Sequence, residues 1–261
     1  MEKEIKKIED ELFCSNFELG VLSGIVNYGQ LERWVPNFCS KNTEFEHQQR
    51  YNWVSELVKN KDVLDIACGV GKGSYIISAN GGAKSVLGCD VSEETIKYAS
   101  IKNCNANLNF AVMDAQNITL EKKFDLVVSF ETIEHLERPE LFLESVKKVM
   151  ASGGNLIVST PIAKTTASPA NTFHKQEWSL VDFKKLISKD FEIIKIYLQL
   201  YPHKNNIFGK ILRRLKKILS GNKLKNNDHN DQPSIREFNT TSDLIAKNLL
   251  GYQIFICRLK K

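Results

Sequence analysis

The sequence predicts an α/β fold: a doubly wound, mostly parallel seven-stranded sheet whose last strand is antiparallel. Three observations predict it. Five short, β-branched apolar runs at 63–67, 85–89, 108–112, 124–130 and 155–159 alternate with segments of helical period. These runs are apolar on both faces, as strands covered by helices on each side must be. Two later runs, 191–198 and 252–259, supply a closing strand pair and bring the total to seven.

Each element has its own warrant. The helix expected over 44–59 places Tyr51, Val54 and Leu57/Val58 on one face. The helices expected between the strands are 73–79, 92–101 and 139–150; Ser92 is placed to cap the second, with Glu94 and Thr95 in its first turn. About fifty residues separate the closing strands, including the polar, Asn-rich stretch 221–233, expected to be a loop.

Composition narrows the function classes. With 261 residues, 42% hydrophobic and 26% charged, the chain is an ordinary globular protein, neither disordered nor fibrous. It begins MEKEIKKIEDELF, charged where a secretory signal would be apolar, and no run nears the roughly 18 apolar residues of a membrane span. A cytoplasmic location is expected. The six cysteines show no CxxC pair, so they are read as reduced thiols rather than a zinc ribbon or disulfide framework. The net charge of +5 is local: residues 201–261 hold 13 Lys+Arg against 4 Asp+Glu, leaving 23 against 27 before them.

The chemistry begins where the first strand ends, at Asp65, Ile66, Ala67, Cys68, Gly69, Val70, Gly71, Lys72 and Gly73. Glycines at a strand-to-helix turn let a ligand approach the backbone, and the helix start offers unpaired N–H groups. A dinucleotide fingerprint needs a third glycine where this chain has Ser74, and Asp65 would repel a pyrophosphate but attract an ammonium. Both argue against the rival reading, a nicotinamide dehydrogenase. Asp90 closes the second strand, nineteen positions after Gly71, where a carboxylate can accept from ribose hydroxyls; Asp114 follows the third, within reach of an adenine amine. Acid, glycine loop, acid, acid describes a ligand with an amino-acid part, a ribose and an adenine, and no phosphate.

On those residues, from about Arg33 to Leu198, the chain resembles class I S-adenosylmethionine-dependent methyltransferases, which implies a Rossmann-like fold with S-adenosylmethionine as cofactor. The resemblance implies that Asp65 and Gly69 line the methionine moiety, Asp90 holds the ribose, and Asp114 with the Ala115 backbone recognises adenine. Ala67, Gly71, Val91, Phe130 and Arg33 complete the cofactor site.

After the fourth strand, Glu131, Glu134 and His135 share one side of the turn if the segment is helical, and His174 returns to the same sheet edge after the fifth. This ExxEH followed by a distant His is similar to the divalent-metal site of small-RNA 3′-end 2′-O-methyltransferases and to the acidic-His cluster of ubiquinone-pathway O-methyltransferases. Three roles stay open for it: Mn²⁺, Mg²⁺ or Zn²⁺ bound by Glu131, Glu134, His135 and His174; His135 or His174 as a metal-free general base; or a structural brace.

Upstream, Glu32 to Pro36 and Glu46 to Tyr51, together with the stretch from Asn171 to Trp178, resemble bacterial glycan-cluster methyltransferases and the lid that precedes their catalytic domain. By that likeness Arg33, His47 and Arg50 fold over the cofactor carboxylate or an anionic substrate; a solvated helix face is the alternative. The expected organisation is a helical lid (1–60), a methyltransferase core (61–200), a basic helical insertion (201–250) and a final core strand (251–261).

In the insertion, 206–220 sets Ile207, Ile211, Leu215 and Ile218 at helical spacing with basic residues on the other faces. It is read as a lid helix packed on the core, as a peripheral contact with an anionic inner-membrane face, or, last, as a polyanion site, since no aromatic residues interleave to stack bases. The expected activity is methyl transfer to an oxygen of a small-molecule or activated-glycan acceptor, such as a capsular sugar or an O-methyl phosphoramidate. The alternatives are RNA 2′-O-methylation and cofactor binding without turnover. Oligomeric state is not read from the sequence.

Overall fold

The computed structural model describes residues 1–28, 33–163, 169, 171–200, 234–238 and 251–260. Its strands are β1 (Asp62–Ile66), β2 (Ser85–Asp90), β3 (Leu108–Val112), β4 (Phe124–Phe130), β5 (Met150–Pro161), β6 (Phe191–Leu200), β7 (Ser234–Glu237) and β8 (Gly251–Leu259). They form one mixed sheet in the order β3-β2-β1-β4-β5-β8-β6-β7. β1 to β5 pair in parallel, β8 runs antiparallel between β5 and β6, and β7 lies antiparallel on β6.

The expected seven strands are therefore eight. The addition, β7, falls inside the expected helical insertion and pairs Ser234–Glu237 with Leu200–Tyr197. The expected helix at 206–220 and loop at 221–233 lie outside the described residues. β5 also starts earlier than expected, because Met150 already pairs with Phe124 ahead of a register shift.

The helices are α1 (Glu2–Tyr28), α2 (Lys41–Ser55), α3 (Lys72–Asn80), α4 (Glu93–Lys102), α5 (Pro139–Val149) and α6 (Leu180–Ile187). Ser92 caps α4 as expected, accepting from the Thr95 N–H. α2 begins and ends a few residues before the expected 44–59, its start capped by Ser40.

Alternation along the strands sends side chains to two cores. Leu64, Val127, Leu156 and Phe255 meet Phe142 and Val146 of α5 and Phe183 and Ile187 of α6. Val63, Leu126, Val128 and Ile157 meet Tyr51 and Val54 of α2 and Ile76 and Ile77 of α3. Most of these side chains are fully buried, each contributing about 1.5–3 kcal/mol. Both sheet faces are thus covered, leaving the strand ends as the open surface.

Candidate functional site

The order β3-β2-β1-β4-β5 reverses direction between β1 and β4, and the crevice outside their carboxyl ends is where open α/β sheets bind ligands. A cavity of about 630 Å³ opens there. It is floored by Ala67, Cys68 and Gly69 after β1, Asp90 and Val91 after β2, Asp114 and Ala115 after β3, and Phe130 and Glu131 after β4. Ala67 (φ 56°) and Glu131 (φ 51°) both adopt the left-handed conformation at neighbouring strand ends. Neither residue type favours it, and each costs on the order of 1 kcal/mol there.

The glycine loop is shaped by close approach. Gly71 sits at φ 75°, and a Cβ on it would lie 2.5 Å from the Phe110 ring; a Cβ on Gly73 would lie 2.1 Å from the Tyr51 ring. Asp90 anchors the loop from the next strand: its Oδ2 accepts from the Gly69 N–H (3.0 Å) and its Oδ1 from the Ser92 N–H (3.0 Å). Arg33 approaches the same Oδ1 at 3.6 Å and donates to the Thr95 hydroxyl at 2.5 Å. A carboxylate accepts about four hydrogen bonds, so Asp90 keeps capacity for ribose hydroxyls.

The segment before the core roofs the cavity. The Trp34 ring stacks on His47 (5.0 Å) and Tyr51 (5.9 Å), and Tyr51 meets Phe130 edge-on. Tyr51 donates to Asp65 Oδ1 at 3.2 Å and Ser74 to Oδ2 at 2.6 Å. Burial raises the Asp65 carboxyl to about 7 against those two hydrogen bonds, with Asp90 adding to the rise. Arg50 is fully buried, its Nη1 on Gln199 Oε1 at 2.5 Å and its guanidinium 4.4 Å from the Tyr252 ring centre.

Beyond β4 the chain makes one 3-10 turn, Ile133–His135, not the longer helix on which Glu131, Glu134 and His135 would align. The Glu134 carbonyl accepts from the N–H groups of Lys175 (2.7 Å) and Gln176 (3.2 Å), which docks the His174 segment onto this turn. Ligand atoms of Glu134, His135 and His174 lie within 4.8 Å of one another. Glu131 is not part of that group; its Oε1 accepts from the Ser159 hydroxyl at 2.5 Å. Of the four expected ligands, the structure thus brings three together.

Burial favours the neutral forms of Glu134 and His135. Glu134 is fully buried and its carboxylate oxygens lack hydrogen-bond partners. The Thr160 hydroxyl is close enough to favour the ionised form without completing a hydrogen bond of normal geometry. Burial, then Glu131, pushes the Glu134 carboxyl well above its usual range. His135 Nδ1 faces the Phe173 carbonyl at 3.2 Å, an oxygen that only accepts, which assigns the proton to Nδ1 and leaves Nε2 as the donor atom, 4.0 Å from Glu134 Oε1. Burial lowers the His135 pKa, favouring the neutral ring. His174 Nδ1 lies 2.5 Å from Glu177 Oε1 and its Nε2 2.9 Å from the Asn171 amide nitrogen.

The methyltransferase-domain family matches residues 57–225, which contain the whole strand-end floor of the cavity. The chain belongs to the class I S-adenosylmethionine-dependent methyltransferase family. It is 32% identical over 182 residues to a protein of Invertebrate iridescent virus 6 named as methyltransferase 235L, covering 68% of this chain and 67% of that one. It is 29% identical to the mitochondrial ubiquinone biosynthesis O-methyltransferase of Dictyostelium discoideum, covering 51% of this chain and 45% of that one. The chain thus spans from two thirds to under half of the length of these relatives. Among solved structures, a methyltransferase from Bacillus halodurans shares the fold at TM-score 0.51 and 17% identity, over 80% of this chain and 96% of that one.

Within this methyltransferase fold, eight of the ten expected cofactor residues line the cavity: Arg33, Ala67, Gly69, Asp90, Val91, Asp114, Ala115 and Phe130. Asp65 and Gly71 do not. Asp65 is 0% exposed and both its oxygens are engaged by Tyr51 and Ser74, so it supports the loop from beneath rather than meeting an ammonium. Gly71 is covered by Phe110 and Ala99. The sequence reading missed Tyr51 and Ser74 as the partners of Asp65, and Glu177 as the group that fixes His174. Only the His174–Glu177 spacing of three, in one short loop, offered a signal.

Proposed function

We propose that the chain transfers the methyl group of S-adenosylmethionine to an oxygen of a small-molecule or activated-glycan acceptor, with Glu134, His135 and His174 facing the acceptor. The observation that carries this reading is the placement of His135. It lines the same cavity as the cofactor residues and also belongs to the acid-imidazole group. Asp90 would hold the ribose, Asp114 and the Ala115 backbone the adenine, and the Ala67–Gly69 turn the methionine end.

The acceptor oxygen then attacks the methyl carbon, the carbon–sulfur bond breaks, S-adenosylhomocysteine leaves, and the hydroxyl proton must go elsewhere. Holding oxygen and methyl in line supplies much of the rate, and a hydroxyl acceptor needs its proton drawn off besides. Glu134, whose carboxyl oxygens lack hydrogen-bond partners and whose proton a cation would displace, and the Nε2 lone pair of His135 fit a divalent cation such as Mn²⁺, Mg²⁺ or Zn²⁺. A cation there supplies Lewis acidity that lowers the pKa of a bound hydroxyl. His174 is held by Glu177 in the manner of a ligating imidazole with a carboxylate behind it, and its Nε2 would exchange the Asn171 amide for the cation. The ubiquinone O-methyltransferase relatives support oxygen as the acceptor atom. Glycan chemistry rests on the lid and the 171–178 segment.

The test is a turnover assay for S-adenosylhomocysteine over a panel of sugar, nucleotide-sugar and phenol acceptors, with and without chelator. Chelation and His174→Ala should each abolish turnover of the accepted substrate while leaving S-adenosylmethionine affinity within twofold. Full turnover in a preparation shown metal-free by elemental analysis refutes the cation reading and leaves His135 Nε2 as the general base, visible as a pH limb lost in His135→Asn.

A further inference from the structure

α1 carries two apolar stripes on opposite faces. One is occupied: Cys14 and Phe17 are buried, with Phe13 and Val21 beside them, against Tyr98 and Ile101 of α4; Phe17 stacks on Tyr98 at 4.4 Å. The other is open. Met1, Ile5, Ile8, Leu12, Leu19, Leu22 and Val26 follow steps of four and three residues with Ser15 in the one polar place, a seven-residue repeat. Ile8 is 63% exposed, Leu12 and Leu19 are 61% each, and Val26 is 81%. A stripe of strict 3.5-residue period is the seam of a two-helix coil, whereas a helix lying on its own protein needs a broader apolar face.

We infer that this stripe pairs with the same stripe of a second copy of the chain, antiparallel, giving a two-fold dimer joined through α1. The charges bear on its direction. Glu2, Glu4, Glu9 and Glu11 flank the stripe in its first half, while Asn16, Glu18, Ser23 and Ile25 flank its second. Parallel pairing would set Glu4, bridged only by the Met1 ammonium at 3.4 Å, beside Glu9 of the second copy, twice; antiparallel pairing lays Glu2, Glu4 and Glu9 on Ser23, Ile25 and Asn16 and leaves Glu11 facing Glu18. The acidic flanks also disfavour an anionic membrane as the occupant.

In the antiparallel register Met1 meets Val26, Ile5 meets Leu22, Ile8 meets Leu19, and Leu12 meets Ser15 across the dyad, so every seam position finds a partner. Ser15 can enter that seam because its hydroxyl already donates to the Glu11 carbonyl at 2.9 Å. The pair left facing like charge, Glu11 and Glu18, is neutralised within each copy by Lys7 (3.8 Å) and Lys102 (3.3 Å). All seven apolar residues of the stripe are exposed, from 45% at Leu22 to 92% at Met1, so the partner helix covers a continuous apolar seam. α4 lies on the opposite side of α1, so the two catalytic bodies stand clear of each other.

Sedimentation equilibrium of the full chain should give a mass near 59 kDa, twice 29.7 kDa. The Leu12→Glu/Leu19→Glu double variant should give the monomer mass with unchanged circular dichroism and S-adenosylmethionine affinity. In a Cys104→Ser background, Ile8→Cys and Leu19→Cys proteins should form an interchain disulfide under copper–phenanthroline oxidation only when mixed. A monomeric wild-type chain at 50 µM overturns the proposal. So does a disulfide formed by Ile8→Cys alone, which would mean parallel pairing.

Discussion

Asp65 should make the stability of this protein fall as pH rises from about 4 to 7. Its carboxyl is raised to about 7 by burial in the fold, against about 3.9 in an unfolded chain. Between those values the native state binds a proton that the unfolded state has lost, so unfolding free energy decreases with pH across that window and levels off above it. Three pH units at about 1.4 kcal/mol each put the contribution on the order of 4 kcal/mol. Asp65→Asn isolates it. Asparagine keeps the shape, can still accept from Tyr51 and can donate to Ser74, but never ionises. Glu131 and Glu134, raised by burial, add terms of the same sign. His47 and His135, lowered by burial, add stability that is lost as pH falls. These cancel in the difference between variant and wild type. Urea unfolding at pH 5, 6, 7 and 8, which spans about two of those three units, should show Asp65→Asn gaining on the wild type by about 2.7 kcal/mol from the acid to the alkaline end. Parallel curves would mean that Asp65 is ionised throughout, and would refute the assignment of its two hydrogen bonds as insufficient to offset burial.

Two further predictions concern the cofactor loop. Asp90→Ala should weaken S-adenosylmethionine binding by about 1.5–3 kcal/mol, tenfold to somewhat over a hundredfold by calorimetry, since it removes the proposed ribose acceptor and leaves the Gly69 and Ser92 N–H groups without theirs. Unchanged affinity in a folded variant would place the cofactor elsewhere, and NAD should not bind either protein. Gly73→Ala should cost about 1–3 kcal/mol in chemical denaturation and weaken cofactor binding, because its Cβ displaces the Tyr51 ring that roofs the cavity; a neutral result would show that α2 shifts freely.

What was legible in the sequence follows from the range of the interactions involved. β1, β2 and β4 appear within a residue or two of the expected runs because strands buried on both faces must be continuously apolar, and the half-exposed edge strand β3 falls on its run as well. β7 was illegible: Ser234, Ile235, Arg236 and Glu237 contain one apolar residue and are strand only because β6 offers an open edge. Asp90 and Asp114 could be read as site residues because a strand end fixes where they point. Asp65 could not, since the partners that engage it arrive from α2 and α3, fourteen and nine positions away. The loss of Glu131 from the ligand group turns on its left-handed backbone and on Ser159 across β5, neither of which a spacing rule contains.

The two left-handed residues at the strand ends carry a further consequence for how this enzyme family can be engineered. Ala67 and Glu131 would each be more comfortable as glycine, so a search that scores stability alone should favour replacing both. At 67 that exchange removes one methyl group from the cavity floor. At 131 it removes a carboxylate that lines the cavity and accepts from the Ser159 hydroxyl. The exchange therefore changes the polarity of the cavity at Glu131 but hardly at Ala67, and a stabilising library would separate the two positions by whether turnover survives the glycine.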